Sequence, residues 1–351
     1  MPVSGLQPVE EAPEVRRGWH AVARVAIVLV VAASLQIFGP TLVVVYTSLG
    51  DVVRINPLWM AVITGFEAAS FVCLWQLMRL VIRINSWRVV ARAQLVGNAM
   101  GQMVPGGAAT GVAVQMRMLT VSGVDRVTAV SALPVVGLLT TATVFVSPVF
   151  ALPAMLAIPD VPRELLLAAC LGVAGSLLLA GVLVLFLTTT RPLVVSAGAV
   201  QSVLNAVIRR RHPITDLPER VVEERNLIRR RLGGQRVAAV LVAVGNVAFD
   251  YLALLAALAA VGARPDPGLV LLAFVTAKLL GTIPLTPGGL GFVEAGLTGT
   301  LTLAGIPSGQ AVVATAAYRV VSYLLPILAG ASAYIWYRIE RSFASSPAVS
   351  R

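Results

Sequence analysis

Five charged side chains fall inside stretches otherwise apolar enough to cross a bilayer: Glu67, Asp250, Lys278, Glu294 and Arg319. A charge at hydrocarbon depth is costly, so such residues mark substrate pathways, proton relays or paired structural ions. Lys278 is the single lysine of the chain; it precedes a Pro287-Gly288-Gly289 turn by nine residues, and Glu294 follows that proline by seven. At about 1.5 Å of rise per residue, two helical arms of that length end at similar depth. Lys278 and Glu294 are therefore expected to face each other across a hairpin. Arg319 lies eight residues into the last apolar stretch, about 12 Å deep by the same rise.

Two cations of this kind could accept a phosphate, the guanidinium forking onto two oxygens and the ammonium acting as a point charge. The half-helices that begin after Pro105-Gly106-Gly107 and after Pro287-Gly288-Gly289 would add backbone N–H donors. Glu67 and Asp250, near mid-span, are the candidates for proton coupling. A plainer reading stands beside each of these. Lys278–Glu294 could be an ion pair that only holds a hairpin, and Glu67 and Asp250 could be satisfied structural acids.

The elements that must position these residues follow from composition. Of 351 residues, 58% are hydrophobic and 12% charged, with a mean hydropathy of +0.87. Soluble domains carry about 25% charged residues, so the chain reads as a polytopic all-α membrane protein. Runs of about 20 apolar residues span the hydrocarbon. They place spans at 25–49, 58–81, 127–150, 165–187, 237–261 and 311–337. The first is too long for a signal-peptide core. Pro134, Pro148 and Pro326 should kink their helices. Two further apolar stretches, 93–119 and 269–304, hold the Pro-Gly-Gly breaks. Unpaired backbone is tolerated at membrane depth only inside protein or beside water. Each stretch is therefore expected to be a re-entrant hairpin that leaves on the side it entered.

The net charge of +11 is almost all arginine, in short runs between spans. No soluble domain presents it to nucleic acid. By the positive-inside rule the basic segments are cytoplasmic, which works only if both broken stretches return to their starting side. The expected organisation is a cytoplasmic tail at 1–24, a membrane half at 25–187, a basic cytoplasmic linker at 188–236, a second membrane half at 237–341 and a tail at 342–351. Both termini are then cytoplasmic, in the cytoplasmic (inner) membrane. Within the linker, 194–208 and 221–232 read as amphipathic helices, suited to an anionic lipid surface or to a simple positive-inside connection.

The halves repeat one another. Pro105-Gly106-Gly107 matches Pro287-Gly288-Gly289 at an offset of 182, which also aligns Gly123-Val124 with Gly305-Ile306 and Ala129-Val130 with Ala311-Val312. The repeats are 58–150 and 237–332. Given the charge bias their topologies are inverted, an architecture that forms substrate sites near the midplane at broken helices.

Enzyme motifs such as a nucleophile elbow, HExxH or Walker A are not found. His20 and His212 lie outside the spans and Cys73 and Cys170 inside them, so neither an intramembrane His-based metal site nor a disulfide framework is expected. No cofactor is expected, and the chain is not read as an enzyme. Asn98, Gln102 and Gln115 line the first broken stretch or satisfy its backbone. Arg117 is placed at the rim. Tyr318, Tyr323, Tyr334, Trp336 and Tyr337 are expected to anchor at the interface or pack.

Three stretches, Thr286–Gly296 (TPGGLGFVEAG), Tyr318–Gly330 (YRVVSYLLPILAG) and Gly97–Gly111 (GNAMGQMVPGGAATG), resemble the membrane region of lysylphosphatidylglycerol synthetases and their stand-alone flippase-like relatives. The resemblance runs over about 22–341. It implies an integral membrane protein linked to lipid movement between leaflets. It carries over the two Pro-Gly-Gly turns, Glu294 and Arg319. In two-part members a cytosolic domain attaches lysine to phosphatidylglycerol; no such domain is read here, so lysyl transfer is not carried over. The expectation is a flippase-like transporter of anionic or phosphate-bearing membrane lipids. A coupled small-solute transporter and a non-transporting partner of a separate lipid-modifying enzyme remain as alternatives.

Overall fold

The computed structural model describes residues 49–103, 107–151, 233–281 and 287–344, with single positions between 174 and 226. The expected spans at 25–49 and 165–187, the linker helices, Pro105 and Gly106 lie wholly or almost wholly outside the described residues. Among those residues every regular element is helical. In order they are α1 (Pro57–Ile82), α2 (Trp87–Met103), α3 (Gly107–Val121), α4 (Arg126–Val146), α5 (Arg236–Ala260), α6 (Pro267–Gly281), α7 (Phe292–Leu303), α8 (Ser308–Arg319) and α9 (Leu325–Ala344). Among the described residues four stretches are long and apolar enough to cross a membrane: Pro57–Ile82, Thr128–Phe150, Gly233–Ala260 and Ser308–Trp336.

Local chemistry sets the helix ends. Asn56 caps α1 by accepting from the Leu58 N–H at 2.9 Å, with Pro57 at the first helical position. Asp266 does the same for α6, accepting from the Gly268 N–H at 2.7 Å ahead of Pro267. Proline costs nothing there, because its missing N–H would have been an orphan. Pro134 is accommodated inside α4, and Pro148 falls in a 3-10 turn, Ser147–Ala151, that follows it.

α1 packs along α5, and the two run antiparallel. The Ser70 hydroxyl and the Asn246 amide exchange hydrogen bonds at 2.8–3.0 Å, and one turn away the Phe66 and Phe249 rings stack at 6.4 Å. This pair is shared by two cores. One joins the C-terminal half of α1 and the N-terminal half of α5 to α2, α3 and α4. The other joins the opposite halves to α6, α7 and α8.

Each Pro-Gly-Gly region joins two helices folded back on each other, α2 on α3 and α6 on α7. In the first, Gly97, Gly101, Gly107 and Gly111 bring backbone against backbone: a Cβ at Gly111 would sit 2.5 Å from the Gly97 carbonyl oxygen. Both hairpins leave through the same turn. Val124 N–H bonds the Leu119 carbonyl at 3.1 Å with Gly123 at φ 89°, and Ile306 N–H bonds the Leu301 carbonyl at 3.1 Å with Gly305 at φ 88°. This six-to-one closure needs a left-handed residue, and it recurs at the offset read from the sequence.

Candidate functional site

The charged residues of the second half gather where α5, α6, α7 and α8 meet, but not in the expected pairs. Lys278 does not face Glu294. Its ammonium pairs with Asp250 Oδ2 of α5, while Arg319 Nε donates to Glu294 Oε1 at 2.6 Å. The turn between α6 and α7 explains the change. Gly288 stands at φ 58°, ψ 22° and Gly291 at φ 87°, ψ −47°, so α7 does not continue the rotation of α6. Glu294 is thereby turned toward α8, and Lys278 is left facing α5.

Glu294 is also not free to serve a ligand with both oxygens. Its Oε2 accepts from the Gly291 N–H at 2.7 Å, the return half of a capping box at the start of α7, where the N-cap glycine has no side chain to supply the other half. One donor expected to await an anion at this half-helix is thus taken by the protein's own carboxylate. With its side chain 1% exposed, Glu294 holds Arg319 from behind.

Asp250 has two partners, Lys278 and the Tyr318 hydroxyl, which donates to Oδ1 at 2.5 Å. Glu67 of α1 is buried, lies within electrostatic reach of Asp250 and Lys278, and has an Oε2 without a hydrogen-bond partner among the described residues. The α1–α5 register accounts for this: Glu67 and Asp250 each lie one turn from the Ser70–Asn246 contact and so meet at one level.

Between the two hairpins lies a cavity of about 280 Å³ whose wall includes Lys278, Arg319, Ser322, Tyr323, Gln102 and Gly288. Three of the lining residues each hold a buried polar atom without a hydrogen-bond partner among the described residues: Arg319 Nη2, Ser322 Oγ and Gln102 Oε1. Buried polar groups are normally satisfied, so these residues keep unused donors and acceptors just behind the cavity surface.

Tyr323 ties both hairpins to this wall. Its ring lies under the Arg319 guanidinium at 4.5 Å, and its hydroxyl donates to the Gln102 carbonyl at 3.1 Å. A Cβ at Gly288 would overlap the ring. The residue is placed by a π-helical turn, Val320–Leu324, in which Leu325 N–H reaches back to the Val320 carbonyl. Pro326, which has no N–H to return to Ser322, leads into that widened turn.

Of the aromatic residues expected to anchor or pack, Tyr318 and Tyr323 are packed and buried at the site, whereas Tyr334 and Trp336 are exposed on α9. Their signal was positional: Tyr318 adjoins Arg319, and Tyr323 follows it by one helical turn. In the first half Gln102 Nε2 donates to Asn98 Oδ1 at 2.9 Å, Gln115 donates to Gln94 and contacts Met78 Sδ at 3.8 Å, and Arg117 is exposed. Of these polar residues, Gln102 reaches the cavity. Gly107 begins α3 and packs against Gly101, away from the cavity wall.

The profile described as lysylphosphatidylglycerol synthase TM region matches residues 21–330. The chain belongs to that family. Like the family, it is a multi-pass helical membrane protein. A UPF0104 membrane protein of Methanothermobacter thermautotrophicus is 31% identical over 96 residues, a match covering 27% of each chain. This chain thus spans about a quarter of that curated relative.

Proposed function

We propose that this chain moves a phosphate-bearing lipid between leaflets, the headgroup passing through the cavity between the hairpins while the acyl chains stay in the bilayer. The observation that carries this reading is Arg319, which lines the cavity: its Nε is fixed by Glu294, while Nη2 is buried with no partner among the described residues. A guanidinium braced at Nε, with a terminal nitrogen still unpaired, can fork onto a phosphodiester once a small side-chain shift brings that nitrogen to the cavity. Lys278 supplies the second positive charge on the same wall.

Alternation follows from inverted repeats. The antiparallel crossing of α1 and α5, the first helices of the two repeats, supports an inverted relation, and the matching turns at Gly123 and Gly305 support the repetition itself. Each hairpin then opens to its own side of the cytoplasmic membrane as a re-entrant unit, with both termini cytoplasmic. Glu67 and Asp250 stand at the crossing as the acids able to couple the movement to protons.

The test is a leaflet-asymmetry assay in proteoliposomes with fluorescent phosphatidylglycerol. Wild-type protein is expected to equilibrate the probe. The Arg319→Lys, Lys278→Gln variant keeps a cation at 319 but loses the fork and the second charge, and is expected to lose most of that activity. Unchanged movement in this variant overturns the reading.

A further inference from the structure

The cavity holds its own counter-ions. Lys278 and Arg319 carry two positive charges against the three carboxyls of Asp250, Glu294 and Glu67, so the site is neutral when the Glu67–Asp250 pair holds one proton. Glu294 is locked by Arg319 and the Gly291 N–H, but among the described residues Asp250 is held only by Lys278 and the Tyr318 hydroxyl. An entering phosphodiester monoanion therefore competes with Asp250 for one ammonium. If it wins, Asp250 is left as a desolvated carboxylate, and the site gains a net negative charge in a low-dielectric place, which is strongly opposed.

Glu67 offers the way out. It sits at the level of Asp250, is 6% exposed, and has a carboxyl oxygen that accepts nothing among the described residues. The charged and titratable groups facing this pair are few: Lys278 from α6, Tyr318 and Arg319 from α8, and Glu294 behind Arg319 from α7. α4, which also packs on α5, brings only the exposed Arg126 at its start. The cation that neutralises the carboxylates cannot serve the ligand at the same time.

Resting on the lipid-transport reading above, we propose that Glu67 and Asp250 form a proton-binding couple that takes up one proton from water whenever a phosphodiester takes Lys278 from Asp250, so that lipid and proton move together without net charge. One O–H bond forms on the couple, the Lys278–Asp250 ion pair breaks, and a Lys278–phosphate pair replaces it. Release of the lipid reverses each change and returns the proton.

The test is calorimetric titration of the purified full chain in detergent with dihexanoylphosphatidylglycerol, in buffers of different ionisation enthalpy near neutral pH. Uptake of about one proton per lipid bound is expected, with the apparent Kd rising about tenfold per pH unit as the pH is raised through the coupled range. The Glu67→Gln, Asp250→Asn variant is expected to lose the buffer dependence. The pH dependence of the wild-type Kd tests the same point should that variant fail to fold. Binding that is independent of buffer and pH overturns the coupling and leaves the lipid site standing. No binding at any pH overturns both. A parallel titration with dimethyl phosphate separates the sources of the ligand: matching proton uptake supports coupling to the phosphodiester alone, and uptake with the lipid only supports coupling that also requires the chains.

Discussion

The two hairpins share a turn sequence and an exit turn, yet they are closed by different means. α2 and α3 meet backbone to backbone, through glycines that leave no room for a Cβ, and they hold two amide pairs, Gln102–Asn98 within α2 and Gln115–Gln94 between the two helices. α6 and α7 meet through side chains, with Gly281 against Val293 and Gly296 against the tip of Leu280, and they carry the two ions, Lys278 and Glu294. The first hairpin meets the cavity with an amide, Gln102, and is closed by backbone; the second meets it with a charge, Lys278, and is closed by side chains. Repetition of a fold thus leaves room for a division of labour: rigid packing on one side of the cavity, electrostatics on the other.

The largest effect expected on this contrast is at the charged wall. Arg319→Ala strands Glu294, whose side chain is 1% exposed, and should cost about 3–5 kcal/mol. Adding Glu294→Gln should recover much of it in thermal melts, because the pair acts as a unit. Next comes Tyr318→Phe, which removes a hydrogen bond to a carboxylate and should cost about 1.5–3 kcal/mol, with the loss reduced to about 1 kcal/mol in an Asp250→Asn background, where the acceptor is neutral.

The packing contrast is sharpened by a pair of equal substitutions. Gly107→Ala drives a methyl into the Gly101 carbonyl and should destabilise by about 1–3 kcal/mol. Gly296→Ala meets only the end of Leu280, which can turn aside, so its effect should lie within about 0.5 kcal/mol. Equal melting temperatures for the two would erase the distinction between the walls. Between these two falls Asn98→Ala, which removes one neutral hydrogen bond of the first hairpin, about 1 kcal/mol.

Much of this architecture was legible in the residues. Apolar runs marked α1, α4, α5 and the α8–α9 stretch because burying a helix in lipid demands an uninterrupted apolar length. The two Pro-Gly-Gly breaks and their offset located the hairpins, and the charges inside spans pointed to the right helices. Partner choice was not legible. Counting residues from Pro287 gives depth along an arm, but the direction a side chain faces depends on the torsions at Gly288 and Gly291, and these turned Glu294 from Lys278 to Arg319. Tyr318 and Tyr323 were passed over because tyrosines of a membrane helix are more often interface anchors or packing than ligands. Only the path of α8 and its π turn brings their hydroxyls to Asp250 and to Gln102.

The central claim is that the cavity takes a phosphate-bearing headgroup, and the most direct measurement is mass spectrometry of the lipids that stay with the purified protein. Wild-type protein should retain phosphate-bearing lipids well above their share of the detergent extract, and the Arg319→Lys, Lys278→Gln variant should lose that enrichment. A retained lipid set that mirrors the extract, and is the same in both proteins, would contradict the account.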